Sequence, residues 1–122
     1  AFTSEELAWA LAKARQRGVK VQVVLDQEFD ANNESSKRLL LEQQGVPVRR
    51  VSGLSAPRRE SGAGLMHQKF AVIDHKVVVT GSYNWTVSAD KVNDENLLIF
   101  RDAGLLAEDY RKEFFRLWEK KK

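Results

Sequence analysis

The chain is 122 residues long, 43% hydrophobic and 30% charged, with a net charge of +3 and a pI near 9.3. That is a single domain with enough apolar residues for a core, and its mild basicity suits a polyanionic partner without requiring one. The lack of cysteine excludes structural disulfides, thiolate zinc sites and a cysteine nucleophile; no run approaches the roughly 20 apolar residues of a membrane span, and no signal peptide is visible.

Phe2-Thr3-Ser4 reads as the end of a strand running into a helix. Thr3 or Ser4 is placed to cap that helix, Glu5 and Glu6 fall in its first turn, and Leu7, Leu11 and Ala14 recur at helical spacing. Lys13, Arg15 and Arg17 crowd its end, and Gly18 terminates it. Residues 19–25, VKVQVVL, read as a strand with Asp26 at its end. Residues 32–44 read as a second helix stopped by Gly45, and residues 46–51 as another short strand. This alternation predicts an α/β fold with a mixed, largely parallel sheet flanked by helices. The irregular stretch 52–64, SGLSAPRRESGAG, leads into the next segment and carries Arg58 and Arg59. These are candidate nucleic-acid contacts, weighed against ordinary solubilising charge.

Residues 65–100 hold the chemistry. The apolar run around His67 and Lys69 reads as a strand, in which side chains two apart share a face. His67, Lys69, Ala71 and Ile73 then face one way. An imidazole beside an ammonium is an odd choice for a core and a sensible one for a phosphate: the ring can attack or protonate, and the cation can neutralise a phosphoryl oxygen. Asp74 has the opposite parity, so it is assigned to closing the turn 74–76, with His75 a solvated turn residue. Residues 77–80 complete a β-hairpin. Gly81 permits a sharp exit from the strand, and Ser82 and Asn84 can donate hydrogen bonds to an anion. Residues 85–91 read as a helix whose start favours bound phosphate. Trp85 is a candidate for stacking on a base, against packing in the core or an interface. Glu95, at the mouth of the strand 97–100, is placed to accept a hydrogen bond from one ring nitrogen of His67, leaving the other free as a nucleophile. A final helix over residues 103–120 carries an apolar stripe of Leu105, Leu106, Tyr110, Phe114, Leu117 and Trp118. Asp26, Glu28 and Asp30 lie in a separate loop, and no carboxylate cluster sits near His67, which favours metal-independent chemistry.

The pattern His67-x-Lys69-x4-Asp74-x6-Gly81-Ser82, continued by Asn84 and by Asn93-x-Glu95-Asn96, resembles the HKD motif of the phospholipase D superfamily. It is most similar to the single-motif, Nuc-like endonuclease branch, with the mitochondrial cardiolipin hydrolase/Zucchini proteins as relatives. The resemblance extends at lower specificity from Phe2 to the C-terminus. It implies a phospholipase D-like fold and a covalent phosphohistidine mechanism with no metal or other cofactor. It also implies a homodimer, because the site needs two such motifs and the chain carries one. Under it His67, Lys69 and Glu95 are catalytic, Lys69, Ser82 and Asn84 bind phosphate, and Asp74 and Gly81 are structural. Family members usually begin with two strands and a helix that have no counterpart here, so residues 1–122 are expected to be one N-terminally truncated domain. Localisation stays open: a lost leader or anchor would make the protein periplasmic or membrane-associated. The expected activity is that of a nuclease cutting DNA or RNA. The alternatives are a phospholipase D or cardiolipin hydrolase acting on phospholipid, and a non-catalytic nucleic-acid-binding or dimerisation module.

Overall fold

The computed structural model describes residues 2–53, 65–82, 84–85 and 94–120. In chain order these form α1 (Glu5–Gln16), β1 (Val23–Asp26), α2 (Gln27–Ala31), α3 (Arg38–Gln43), β2 (Val48–Val51), β3 (Phe70–Ile73), β4 (Val77–Gly81), β5 (Leu97–Phe100) and α4 (Gly104–Trp118). Arg58, Arg59 and most of the helix expected at 85–91 lie outside the described residues.

The first helix starts where Ser4 Oγ accepts the Leu7 N–H at 3.3 Å, with Glu5 and Glu6 in the first turn. It ends at Gly18, whose φ of +92° lets Val19 N–H reach back to the Ala14 carbonyl at 3.1 Å. Gly45 ends α3 in the same way, with Val46 N–H on Leu41 O at 2.9 Å. Ala8 and Ala12 are the fully buried positions of α1, while Leu7, Leu11 and Ala14 pack around the core edge.

The helix expected over 32–44 is shortened to α3 (Arg38–Gln43), and a further short helix, α2 (Gln27–Ala31), forms where Asp26, Glu28 and Asp30 were expected to lie in a loop. Asp26 caps α2 by accepting from Phe29 N–H at 2.9 Å. The chain then turns, because Asn33 Oδ1 accepts from Ser35 N–H at 2.9 Å and the Ser36 hydroxyl donates to Asp30. Asparagine and serine offering local acceptors compete with the helix, and α3 resumes only at Arg38.

β1 and β2 pair in parallel, with Val23 opposite Val48 and Asp26 opposite Val51. β3, β4 and β5 form a three-stranded antiparallel sheet in that order. The mixed α/β architecture is therefore present: among the described residues β1–β2 and a bridge from Phe2 to Trp85 are parallel, and β3, β4 and β5 are antiparallel. The short turn 74–76 between β3 and β4 enforces antiparallel pairing there. Asp74 and His75 both have positive φ, +53° and +59°, and Lys76 N–H returns to Ile73 O at 3.1 Å.

Phe2, Val21, Leu25, Leu41, Val46 and Ala8 make the core cluster. Phe2 bridges in parallel to Trp85, and the two rings stack with centroids 6.3 Å apart. α4 packs against both sheets, burying Ala107 and Leu117 and setting Tyr110 edge-on to Phe70 at 5.0 Å. Leu105 leaves the expected stripe, at 90% exposed. Two cations latch the end of α4 to β2: Arg49 donates to Trp118 O at 2.6 Å, and Lys120 Nζ reaches the carbonyls of Ser52 and Gly53 at 2.7 and 2.6 Å. Lys120 is thus engaged by backbone carbonyls just beyond β2. All four side chains of β5 are exposed, and among the described residues it pairs with β4 on one side only. No helix among the described residues is long and apolar enough to cross a membrane.

Candidate active site

The antiparallel registers decide which side chains meet. Phe70 pairs with Thr80 and Gly81 with Leu97. Following each strand one to three residues past its paired end brings His67, Lys69, Ser82 and Glu95 to one end of the sheet. Asp74 and His75 close the opposite end, roughly 20 Å away along the hairpin at ~3.3 Å per residue. Asp74 lies in the turn there, with a φ of +53°.

His67 and Lys69 lie just before β3 rather than within it. The Thr80 hydroxyl donates to Lys69 O at 3.1 Å, which carries the β3–β4 pairing one residue further. Lys69 Nζ donates to the His67 carbonyl at 2.7 Å and lies 3.1 Å from Nδ1 and 3.5 Å from Nε2 of its ring. An ammonium only donates, so the nearer ring nitrogen offers it a lone pair. His67 is exposed and Lys69 half-buried. Burial pushes the Lys69 amine below the usual lysine value, and the charge of Glu95 acts against that shift. Lys69 and Glu95 are therefore within electrostatic reach of one another.

Glu95 does not take the expected hydrogen bond from His67. Its Oε2 accepts from Ser82 Oγ at 2.5 Å. That hydroxyl also accepts Asn96 N–H at 3.0 Å, and Ser82 N–H donates to Asn96 O at 3.0 Å. The β4–β5 register sets Ser82 opposite Asn96, so the hydroxyl is the local partner of the neighbouring carboxylate. Gly81 permits this clasp: its φ is +145°, and a Cβ there would lie 2.0 Å from Asn96 O. Asn84 follows in the segment leaving β4 and is half-buried. The half-buried Trp85 ring stacks with Phe2 and packs against the core cluster. Among the described residues no three His, Cys, Asp or Glu side chains group as metal ligands.

Two contacts around His67 escaped the sequence. Met66 N–H donates to Asp26 Oδ1 at 2.6 Å, and Gln68 Nε2 donates to Glu113 Oε1 at 2.7 Å. The available signals were an acidic residue at the end of β1 and the i,i+3 pair Glu113–Arg116, 2.7 Å apart. The hydrogen bond from Arg116 pulls Glu113 down to about 2, helped by Gln68 and opposed by burial. A depressed carboxyl contributes stability that is present above its unfolded value of 4.5 and lost as pH falls through about 2. Glu113→Gln should therefore be less stable than the native chain at pH 7, by roughly 0.5 kcal/mol as for other exposed helix pairs. The gap should close as the pH is lowered through that window. Urea unfolding across the acid range checks this, and a gap independent of pH would sink it.

An imidazole, an ammonium and a hydroxyl–carboxylate pair are thus gathered at the open end of a sheet, on a fold of the phospholipase D-like class. Residues 1–118 match the family model described as "Cardiolipin synthase, PLD-like domain", and the chain belongs to this phospholipase D-like phosphodiesterase superfamily. It is 43% identical over 97% of its length to a mitochondrial cardiolipin hydrolase of Xenopus laevis, and 40% identical over 98% to that of Homo sapiens. It spans about half the length of the curated relatives it matches, 51% and 43% of these two. Among solved structures it is similar to the phospholipase D family member Nuc from Salmonella typhimurium, with a TM-score of 0.84 and 28% identity, covering 97% of this chain and 72% of that one. NucT from Helicobacter pylori matches with a TM-score of 0.85 and 31% identity, covering 98% and 74%.

Proposed function

We propose that the chain is a metal-independent phosphodiesterase that cuts nucleic acid through a phosphohistidine on His67, with two copies completing one site. The observation that carries this reading is the His67–Lys69 pair at the exposed end of the sheet, beside the Ser82–Glu95 clasp.

The imidazole nitrogen of His67 attacks phosphorus, a P–N bond forms, and the P–O bond to the leaving group breaks. The departing oxygen needs a proton. His75, the one other histidine, sits at the far end of the hairpin, so the proton comes from His67 of a second copy. That same ring then takes a proton from water, which attacks the phosphohistidine and releases His67. Lys69 and Asn84 bind the non-bridging oxygens and stabilise the charge of the transition state. Substrate draws Lys69 off the His67 ring and the Ser82 hydroxyl off Glu95. The freed carboxylate then accepts the N–H of His67 and supports the ring as a cation.

A second reading, hydrolysis of a phospholipid such as cardiolipin, is favoured by the higher identity to the proteins named cardiolipin hydrolase. The deciding experiment offers labelled single-stranded DNA, single-stranded RNA and cardiolipin vesicles in parallel, each in excess EDTA. Cleavage of DNA or RNA with the vesicles untouched is the expected result. Release of headgroup from vesicles alone moves the function to lipid. Chelator-sensitive cleavage overturns the mechanism.

A further inference from the structure

The nucleophile stands on a segment with no ladder of its own. Residues 65–69 precede β3 and, among the described residues, pair with no strand. A reacting ring must nevertheless be held to within about an ångström, since a misplacement of that size costs on the order of 100-fold in rate. Something other than the sheet has to hold it.

We propose that Asp26 is a positioning residue for His67, acting through the backbone of Met66, with Glu113 bracing the other side through Gln68. The two anchors sit on the residues flanking the nucleophile. Met66 N–H is bound by Asp26 Oδ1 at 2.6 Å, and the Gln68 side chain by Glu113 Oε1 at 2.7 Å. Asp26 comes from β1 and Glu113 from α4, so the His67 segment is slung between the parallel sheet and the last helix. Its remaining tie, Thr80 Oγ1 to Lys69 O, fixes the end nearest β3.

The chemistry of Asp26 fits this role better than a capping role alone. It is 6% exposed, and its two oxygens go to different segments: Oδ2 caps α2 at Phe29 N–H, and Oδ1 holds Met66 N–H. A cap needs one acceptor, and serine or asparagine supplies that as well as aspartate does. Holding a second N–H with the other atom requires a group that accepts at both positions. Only an ionised carboxylate does so, and its charge strengthens each bond. Asparagine would turn an NH2 group toward one of the two backbone donors.

The test uses Asp26→Ser, which keeps a capping oxygen for α2 and loses the reach to Met66. Two readouts are taken on the full chain. In the proposed phosphodiesterase assay, kcat should fall at least about tenfold, with KM within about twofold. Independently of any substrate, the histidine ring cross-peaks in a carbon–proton NMR spectrum should report displacement. The chain has two histidines, so the His67 signal should move while that of His75, in the distant turn, stays in place. Gln68→Met removes the second anchor without touching the α2 cap and should shift the same signal, which keeps the question open to test should Asp26→Ser fail to fold. Unchanged kcat and an unmoved His67 signal overturn the proposal. A native chain that cleaves nothing overturns the phosphodiesterase reading instead, and the ring signals alone then decide whether Asp26 positions His67.

Discussion

A His67→Ala chain is expected to keep the native fold and to lose phosphodiester cleavage by at least about 10⁴-fold, the scale seen when a covalent nucleophile is removed. The ring is exposed and packs against no core residue, so unfolding free energy should stay within roughly 0.5 kcal/mol of native. The loss is therefore chemical. If each site takes one imidazole from each of two chains, mixing sharpens the test. Native and His67→Ala chains allowed to exchange should show activity that falls as the square of the native fraction, because mixed pairs lack either nucleophile or acid. A linear fall would mean that one chain suffices. Cleavage surviving in the variant would remove His67 from the mechanism.

Gly81→Ala should do more damage than the same change at Gly18, Gly45 or Gly104, where an added Cβ meets nothing within 4 Å. The added carbon would meet Asn96 O at 2.0 Å, and φ of +145° is closed to a side chain. The neighbouring backbone cannot step aside cheaply, because Ser82 N–H and Asn96 N–H both bind across the same junction at 3.0 Å. Accommodating the methyl means opening the end of the β4–β5 ladder and with it the Ser82–Glu95 clasp. A cost of about 3 kcal/mol or more is expected, which lowers the melting temperature by roughly 10 °C. Circular dichroism melts give the number, and a native-like Tm would show that the junction yields. Ser82→Ala, by contrast, removes the clasp and leaves the ladder.

Much of this was legible in the chain because it depends on neighbours in sequence. Ser4, Gly18 and Gly45 act within one turn of a helix, and their types announce the caps and stops that the structure contains. The place of Asp74, at the end of one apolar run and just before the next, was enough to put it in the hairpin turn. Legibility failed where a residue's partner is distant or where two local preferences compete. The break between α2 and α3 turns on Asn33, Ser35 and Ser36 bonding one another and Asp30 in place of continuing a helix. Helical periodicity cannot see that competition. Glu95 was matched to the histidine it would serve, yet a hydroxyl set beside it by strand register holds it first. The anchors at Asp26 and Glu113 lie 40 and 45 residues from the positions they hold, and nothing in their immediate sequence names those positions.

The exposed β5 strand has a practical consequence for handling the protein. Leu97, Leu98, Ile99 and Phe100 are 46%, 46%, 50% and 40% exposed, on a strand with an unpaired edge among the described residues. Two such edges can complete each other's ladder, so loss of dispersed protein would be second order, and about a tenfold dilution would lengthen its half-life about tenfold. Sulfate and phosphate buffers, which strengthen apolar burial, would accelerate the loss, while dilute urea would retard it. Under the proposed function phosphate would also compete for the site under assay, so chloride at low protein concentration is the medium the molecule itself recommends.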